Sequence, residues 1–448
     1  MQPVLRFDRG TLLLEGLPDA EVPPGFVYDD RVKLWRAPAM AYRAAVAVLH
    51  RRGAPYDDQA RSYTPLARPH LLSRAPRPYQ LDAVAAWRAN GRRGVVVLPT
   101  GAGKTLVAEL CIADADRTAL VVAPTLDLVS QWYDVLRRAF GDPIGVLGGG
   151  LRELEALTVS TYDSAHLYAE RFGGRFGLVI FDEAHHLPGP QYAYAARSSI
   201  APFRLGLTAT LGEAVLDELV GPVVYERAVR DLAGEFLAPY RTEVIDVVLS
   251  PDERAAYDEA TATVRAFRAD NDIGRGRSGF QQFLRACGRS EAGRRAFAAY
   301  RESRRILHRT PRKLEVLAEL LAEHRGARCL VFTADNATAY EVSRTFLVPA
   351  VTHRTDPKER RRFLDAFGAN TLPVLVTSRV LNEGVDLPEA EVAIVLSGSS
   401  TVREHVQRLG RILRPREGKS AVMYELVVAQ SAEEATSARR REHEAYRP

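Results

Sequence analysis

The sequence predicts an α/β protein of two parallel, doubly wound sheets, preceded by a small α+β module and interrupted by a helical insertion. Three observations carry that prediction. Continuous Val/Leu/Ile runs recur between helix-length amphipathic segments, the pattern of strands buried on both faces. Those runs fall into two series, with a strandless stretch between them. The chain of 448 residues, 46% hydrophobic and 26% charged, has ordinary globular composition and length for several cores, which excludes general disorder and fibrous repeats.

Residues 1–75 alternate short apolar runs with turn residues (Pro18, Pro23, Pro24, Gly25) and then carry a helical pattern around Ala39 to Leu49, the signature of the small α+β module. A Pro-rich basic stretch, Pro69 to Pro78, follows as a linker. The first strand series, over residues 76–245, comprises Gly94–Leu98, Ala119–Ala123, Leu157–Ser160, Leu178–Phe181 and Arg204–Leu207. Residues 246–312 lack strand signals and are helix-compatible, broken at Gly274, Gly276 and Gly279. The second series, over residues 313–448, comprises Cys329–Phe332, Pro373–Thr377, Val392–Leu396 and Ala421–Val428, and ends in a charged helix or frayed tail.

Lys and Arg total 61 against 56 Asp and Glu, so any polyanion site arises from local clustering and not from bulk charge. The insertion holds such a cluster. Between Arg285 and Lys313, arginines that include Arg304, Arg305 and Arg309 face only Glu291 and Glu302 in that stretch. A solvated helical hairpin would look the same. The local, one-signed surplus favours a basic finger on a phosphate backbone. The three cysteines are scattered without metal-ligand spacing, which argues against a disulfide framework or zinc site and for a reducing compartment. With no signal-peptide order and no apolar run near the roughly 20 residues of a membrane span, the expectation is a soluble, cytoplasmic chain without a membrane partner.

Chemistry enters at Leu98-Pro99-Thr100-Gly101-Ala102-Gly103-Lys104-Thr105, after a predicted strand and at the start of a helix. Glycines let successive N–H groups converge on phosphate oxygens, Lys104 adds charge, and the Thr105 hydroxyl can ligate Mg²⁺. Where a P-loop begins with Gly, Leu98 stands here. Further on, the apolar run Leu178–Phe181 delivers Asp182-Glu183-Ala184-His185 at its C-terminal end, the ligand edge of an open α/β sheet. Asp182 suits Mg²⁺ held through water. Glu183, turned to the other side of an extended backbone, suits polarisation of an attacking water. His186 has no comparable support and is expected on the surface.

At this point the chain resembles superfamily 2 helicases. Arg77-Pro78-Tyr79-Gln80 resembles the adenine-reading Q motif, with Gln80 as the base contact. Val122-Ala123-Pro124-Thr125 and Val159-Ser160-Thr161-Tyr162 resemble motifs Ia and Ib, where Pro124, Thr125 and Thr161 would meet a nucleic-acid strand. Leu207-Thr208-Ala209-Thr210 matches motif III and Val331-Phe332-Thr333 motif IV. Val376-Thr377-Ser378, with Thr377 on the strand side, and Glu383-Gly384-Val385-Asp386 resemble motif V. Gln407-Arg408-Leu409-Gly410-Arg411-Ile412-Leu413-Arg414 matches motif VI, and the resemblance implies that Arg411 and Arg414 neutralise charge on a γ-phosphate. In order, these motifs cover about three quarters of the chain. The implied fold is a pair of RecA-like motor domains, with ATP and Mg²⁺ held between Lys104 and Glu183 on one domain and Arg411 and Arg414 on the other.

Within the superfamily the XPB-like DNA helicases are the nearest in style, through Leu98-Pro99 leading into Gly-Ala-Gly-Lys, the run Asp386 to Ala390 and the motif VI sequence. That resemblance implies 3′→5′ ATP-driven movement on single-stranded and duplex or forked DNA, in nucleotide excision repair or duplex opening. It also implies an N-terminal module of damage-recognition type, a thumb-like insertion at 246–312 and, for some members, a partner nuclease. Where the family carries an Arg-Glu-Asp triplet after motif III, Gly212-Glu213-Ala214 stands here, a departure that bears on strand separation and not on ATP hydrolysis. Other readings stay open: an ATP-switched DNA clamp, the translocating subunit of a nuclease, and an RNA helicase.

Overall fold

A computed structural model describes residues 2–51, 53, 55–72, 74–211, 216–232, 240–274, 276–378, 390–397 and 421–441. Two compact units divide after Leu232. The first opens with a five-stranded sheet made by β1 (Val4–Asp8), β2 (Thr11–Glu15), β3 (Val27–Asp29), β4 (Leu34–Pro38) and β5 (Asp57–Asp58), in the order β3-β4-β2-β1-β5. Helix α1 (Tyr42–Arg51) packs on it, so the expected α+β module is present. Alternation in the Thr11-Leu-Leu-Leu-Glu15 strand buries Leu12 and Leu14 on one face. The core they enter also contains Ile200.

An irregular strap follows, held to the next sheet by main-chain bonds such as Thr118 N–H to Thr64 O at 3.0 Å and Leu71 N–H to Ala139 O at 2.8 Å. Then come α2 (Pro78–Ala89), β6 (Arg93–Val97), α3 (Lys104–Ala115), β7 (Ala119–Ala123), α4 (Leu126–Phe140), β8 (Gly145–Gly148), β9 (Leu151–Arg152), β10 (Leu157–Thr161), α5 (Tyr162–Phe172), β11 (Leu178–Asp182), α6 (Pro190–Arg197), β12 (Phe203–Thr208), β13 (Val223–Glu226) and the short α7 (Val229–Leu232). The strands form an eight-stranded sheet in the order β13-β6-β12-β11-β7-β10-β8-β9, parallel apart from the β8–β9 hairpin. Each predicted apolar run of the first series lies in it. Helix α4 shows why the segments between runs become helices: Thr125 caps its N-terminus, and Val129, Trp132, Leu136 and Phe140 form one buried stripe at helical spacing.

The second unit holds β14 (Tyr240–Val247), α8 (Pro251–Asp270), α9 (Gly276–Cys287), α10 (Glu291–Arg309), α11 (Pro311–Glu323), β15 (Cys329–Phe332), α12 (Asn336–Phe346), β16 (Ala350–Val351), α13 (Pro357–Gly368), β17 (Val374–Thr377), β18 (Val392–Val395), β19 (Ala421–Val428) and α14 (Ala432–Arg441). Its six strands are all parallel, in the order β14-β19-β18-β15-β17-β16. Strand β14 pairs with β19 along its whole length, so the second sheet recruits chain from residue 240 onward. The helical stretch expected after Pro251 is α8, α9 and α10, whose mutual faces bury Phe267, Phe283, Cys287 and Ala296. Helix α8 starts from Ser250 and Glu253, which cap each other's backbone N–H groups.

Candidate nucleotide site and nucleic-acid face

Sheet register brings the two chemistry-bearing segments to one edge. Strand β12 lies between β6 and β11, with Thr208 opposite Val97 and Leu207 opposite Asp182. The loop that leaves β6 and the acidic pair that leaves β11 therefore emerge side by side at the C-terminal ends of parallel strands. Thr208 is shared by both: its carbonyl accepts from Leu98 N–H at 3.0 Å, and its hydroxyl meets His185 Nδ1 at 3.0 Å. The motif III threonine thus links the glycine loop to the acidic segment.

The loop from Pro99 to Gly103 turns at Gly101 (φ 84°) and Gly103 (φ 80°), and Gly103 caps helix α3. The positive φ at Gly103 strains any side chain, and an added Cβ, 2.4 Å from Gln80 Nε2, would also displace the Gln80 amide. Gln80 is 3% exposed and closed on this loop: its Nε2 donates to the carbonyls of Ala102 (3.0 Å) and Gly103 (3.3 Å), and its Oε1 accepts from Arg77 N–H. The sequence suggested a base contact for Gln80; here its Nε2 end braces the loop and its Oε1 end caps α2, with Tyr79 adding a 2.7 Å bond to the Ala102 carbonyl. Lys104 Nζ donates to the carbonyl of Leu98 at 3.1 Å. The buried Thr100 hydroxyl has no hydrogen-bond partner, and Thr105 sits in the first turn of α3. An orphan hydroxyl, a lysine and a helix N-terminus around a glycine turn fit a phosphate chain.

Asp182 ends β11 and is buried. Its Oδ2 accepts from the Trp132 indole N–H at 2.8 Å and its Oδ1 from Glu183 N–H at 3.0 Å. Burial raises the carboxyl above the usual range, while the indole bond, the Lys104 charge and the Glu183 N–H act in the opposite sense. The Asp182 carbonyl is fixed by the Tyr162 hydroxyl at 3.0 Å. Glu183 departs from the extended backbone expected of it. It adopts a left-handed conformation (φ 49°, ψ 52°), so a sharp turn, and not strand alternation, sets the direction of its side chain. Such a conformation costs a non-glycine residue about 1–3 kcal/mol and gathers at functional sites. His185 Nδ1 lies 3.4 Å from Glu183 Oε2. His186, expected on the surface, is half-buried with its ring 4.3 Å from that of His185. Trp132 escaped the sequence reading, and Tyr162 entered it only as part of motif Ib, since nothing local marks a residue that acts across the sheet.

Strand β7 runs beside β10, and this places motifs Ia and Ib together, with Thr161 opposite Ala123. Both motif threonines cap helices: Thr125 Oγ1 accepts from Leu128 N–H and Thr161 Oγ1 from Ser164 N–H. Pro124 is half-buried beside them. In the second unit Phe332 lies opposite Thr377, and Thr333 N–H donates to the Thr377 carbonyl at 2.8 Å, joining motifs IV and V at one sheet edge. Thr377 is fully buried, its hydroxyl on the Ser378 carbonyl. On α10, Arg305 pairs with Glu302 in its own helix, and Arg309 pairs with Glu341 of α12, a partner outside the stretch from which the charge surplus was counted. Arg304 is half-buried. Gly384, Asp386, Gln407, Arg411, Arg414 and the Gly212-Glu213-Ala214 run lie outside the described residues.

Two parallel sheets, one edged by a glycine loop and an acidic strand end, define a two-domain helicase of superfamily 2. Residues 73–213 match the type III restriction enzyme res subunit family, residues 312–416 the helicase conserved C-terminal domain, and residues 5–60 the xeroderma pigmentosum group B helicase damage recognition domain. The helicase domain of Hef from Pyrococcus furiosus shares the fold, at TM-score 0.54 and 19% identity over 81% of this chain and 98% of that one. The DNA 3′-5′ translocase XPB2 of Sulfurisphaera tokodaii is 36% identical over 98% of this chain and 99% of its own length. The DNA 3′-5′ helicase XPB of Kineococcus radiotolerans is 33% identical over 80% of this chain, which spans 61% of that larger protein. The chain belongs to the XPB family of helicases.

Proposed function

We propose that this protein is an ATP-driven DNA translocase moving 3′→5′, with a role in duplex opening or nucleotide excision repair. The observation that carries the reading is the likeness to the Sulfurisphaera tokodaii translocase across virtually the whole of both chains. The geometry supports it. The glycine turn and Lys104 suit the phosphates of ATP. Thr105 and Asp182 suit Mg²⁺, with the indole of Trp132 orienting the carboxylate. When bound, the nucleotide supplies a γ-phosphoryl group for transfer to water. Glu183, turned out of β11, is the base that orients and deprotonates that water. Through the His185–Thr208 bond, a change at Glu183 reaches the end of β12, on the route from the nucleotide to the strand-facing loops. Gly384, Asp386, Gln407, Arg411 and Arg414 are assigned to the nucleotide, and Pro124, Thr125, Thr161, Thr377 and Arg304 to DNA, on their motifs.

The match of residues 73–213 to a restriction-enzyme subunit favours one variant, in which the motor serves a partner nuclease. The test is steady-state ATP hydrolysis with Mg²⁺ and, in parallel, no polymer, single-stranded DNA, duplex DNA or RNA. Stimulation by DNA alone is the expected result. Stimulation by RNA would transfer the reading to an RNA motor. Stimulation by DNA without displacement of a distant third strand would leave a clamp, and dependence of displacement on an added nuclease would support the partnered form.

A further inference from the structure

The second unit holds a cavity of about 450 Å³ between α10 and the N-terminal end of α12, lined chiefly by charged side chains. Most of those charges are already spent. Arg305 pairs with Glu302, and Arg309 with Glu341. Asp335 Oδ2 meets His308 Nδ1 at 3.1 Å, and its Oδ1 caps α12 by accepting from Thr338 N–H at 2.8 Å. Two guanidiniums are left over. Arg301 is exposed and Arg304 half-buried, and neither has a hydrogen bond or ion pair among the described residues. His308 supplies a third unmet group: it is 6% exposed, and its buried Nε2 has no hydrogen-bond partner. Burial holds the ring below its usual pKa. Arg304 and Lys313 of α11 act in the same sense, against Asp335 and against Glu433 of α14. A neutral ring that gives its Nδ1 proton to Asp335 keeps a lone pair on Nε2, and a buried lone pair without a donor is unusual in a folded chain.

The unmet groups define the ligand. Two free guanidiniums call for an anion, and their forked N–H donors suit a phosphate. The lone pair calls for an O–H. A phosphate monoester supplies both, since its second proton titrates near about pH 6, whereas a phosphodiester has no proton to give. We propose that this cavity receives a phosphate monoester, held by Arg301 and Arg304, whose acidic proton is shared with His308 Nε2. If that proton crosses, the ester becomes a dianion and His308 an imidazolium between it and Asp335. The volume lies within the roughly 300–1,000 Å³ typical of ligand sites and leaves room for a sugar beside Tyr300, which also lines the cavity. Such a group ends a phosphorylated DNA strand and a free nucleotide, and the internal diesters along a strand lack it. For a strand end, the inference rests on the DNA-motor function above.

Fluorescence anisotropy would compare the full chain on one labelled duplex ending in a hydroxyl, a phosphate or the methyl ester of that phosphate, at the 5′ end and, separately, at the 3′ end. One phosphorylated end should bind about 10- to 100-fold more tightly than the hydroxyl, the scale of one hydrogen bond to a charged group. The methyl ester, a diester, should not. The double variant Arg301→Ala/Arg304→Ala should erase the difference. A second arm measures deoxyadenosine monophosphate by equilibrium dialysis. Binding that the double variant abolishes and Lys104→Ala spares, with no preference among duplex ends, assigns the cavity to a free nucleotide. Equal affinity for all the ends, with no monophosphate binding that depends on the two arginines, overturns the proposal. So does a phosphate preference that the methyl ester reproduces or that the double variant retains. A phosphate preference lost in the double variant, alongside ATP hydrolysis that no DNA stimulates, would support the cavity and count against the motor function alone.

Discussion

Asp182 and Trp132 are 50 positions apart in the chain and joined by a 2.8 Å bond at the heart of the proposed nucleotide site. With Asp182 proposed to hold Mg²⁺, the indole is its outer-sphere support, and losing such support weakens metal affinity by about 10- to 100-fold. Trp132→Phe should therefore raise, by that factor, the Mg²⁺ concentration at which fluorescent ATP analogue binding is half-maximal. An unmoved midpoint would reduce Trp132 to packing. Glu183→Gln should retain nucleotide while hydrolysis falls by ~10² or more, the scale of a lost positioned base; near-normal turnover would remove Glu183 from the role. At this scale the sequence made the chemistry legible but not its supports. Lys104, Thr105, Asp182 and Glu183 stand in local patterns whose spacing has one chemical use. Trp132 sits in an amphipathic helix, where an apolar side chain needs no further explanation. Gln80 was legible as a motif residue, yet its bonds to Ala102 and Gly103 depend on how α2 meets the loop, which spacing along the chain does not encode.

Helix α10 shows how an element changes the meaning of its residues. Counted along the chain, its arginines form one surplus; folded, they divide. Arg309 ties α10 to Glu341 of α12, and Arg305 is held by Glu302. Arg304→Ala should consequently flatten the salt dependence of DNA binding by ~0.9 log units, as expected for one lost duplex contact. Arg309→Ala should act mainly on stability, lowering the melting temperature with little change of slope; a full slope change would return Arg309 to the DNA face. The same helix places His308 against Asp335, with Nδ1 to Oδ2 at 3.1 Å. Burial holds the His308 ring below its usual pKa, so at neutral pH the contact is an N–H donated to a carboxylate. That bond, followed by the Thr338 backbone N–H, holds Asp335 well below the usual carboxylate range. A carboxyl depressed in the folded state stabilises above its unfolded pKa of about 3.9 and loses that contribution as pH falls further. The melting-temperature gap between the native chain and Asp335→Asn should thus be widest near neutrality and close below about pH 4. A gap independent of pH would discard the assignment. Among strands, continuous apolar runs such as Ala119–Ala123 and Cys329–Phe332 were legible to the residue. Strand β14 was not, because Arg241, Glu243 and Asp246 interrupt its apolar residues, and its pairing with β19 is set by chain far downstream.

Across the molecule, the N-terminal module and the first parallel sheet form one body. Ile200, 1% exposed, belongs to the sheet's connections in sequence and to the module's core in space, beside Leu5, Leu12 and Leu14. Ser62 N–H and hydroxyl both reach the Gly174 carbonyl, and Gly10 approaches Ser198 too closely for any Cβ. Ile200→Ala should destabilise this body by about 2–5 kcal/mol, the cost of a cavity in a filled core. A chain lacking residues 1–60 should melt lower still and aggregate, because it leaves Ile200 uncovered; a truncated chain that stays monomeric with an unchanged melting temperature would separate the two parts. The shared core also sets an order of events during synthesis. The module leaves the ribosome before the first parallel sheet yet finishes folding with it, since its apolar floor is completed by a residue made much later. At 5–20 residues per second, translation reaches Ile200 about 7–30 s after α1. For that interval the core around Leu5, Leu12 and Leu14 lacks its Ile200 side, and the nascent chain presents that gap to any holding chaperone at the exit tunnel.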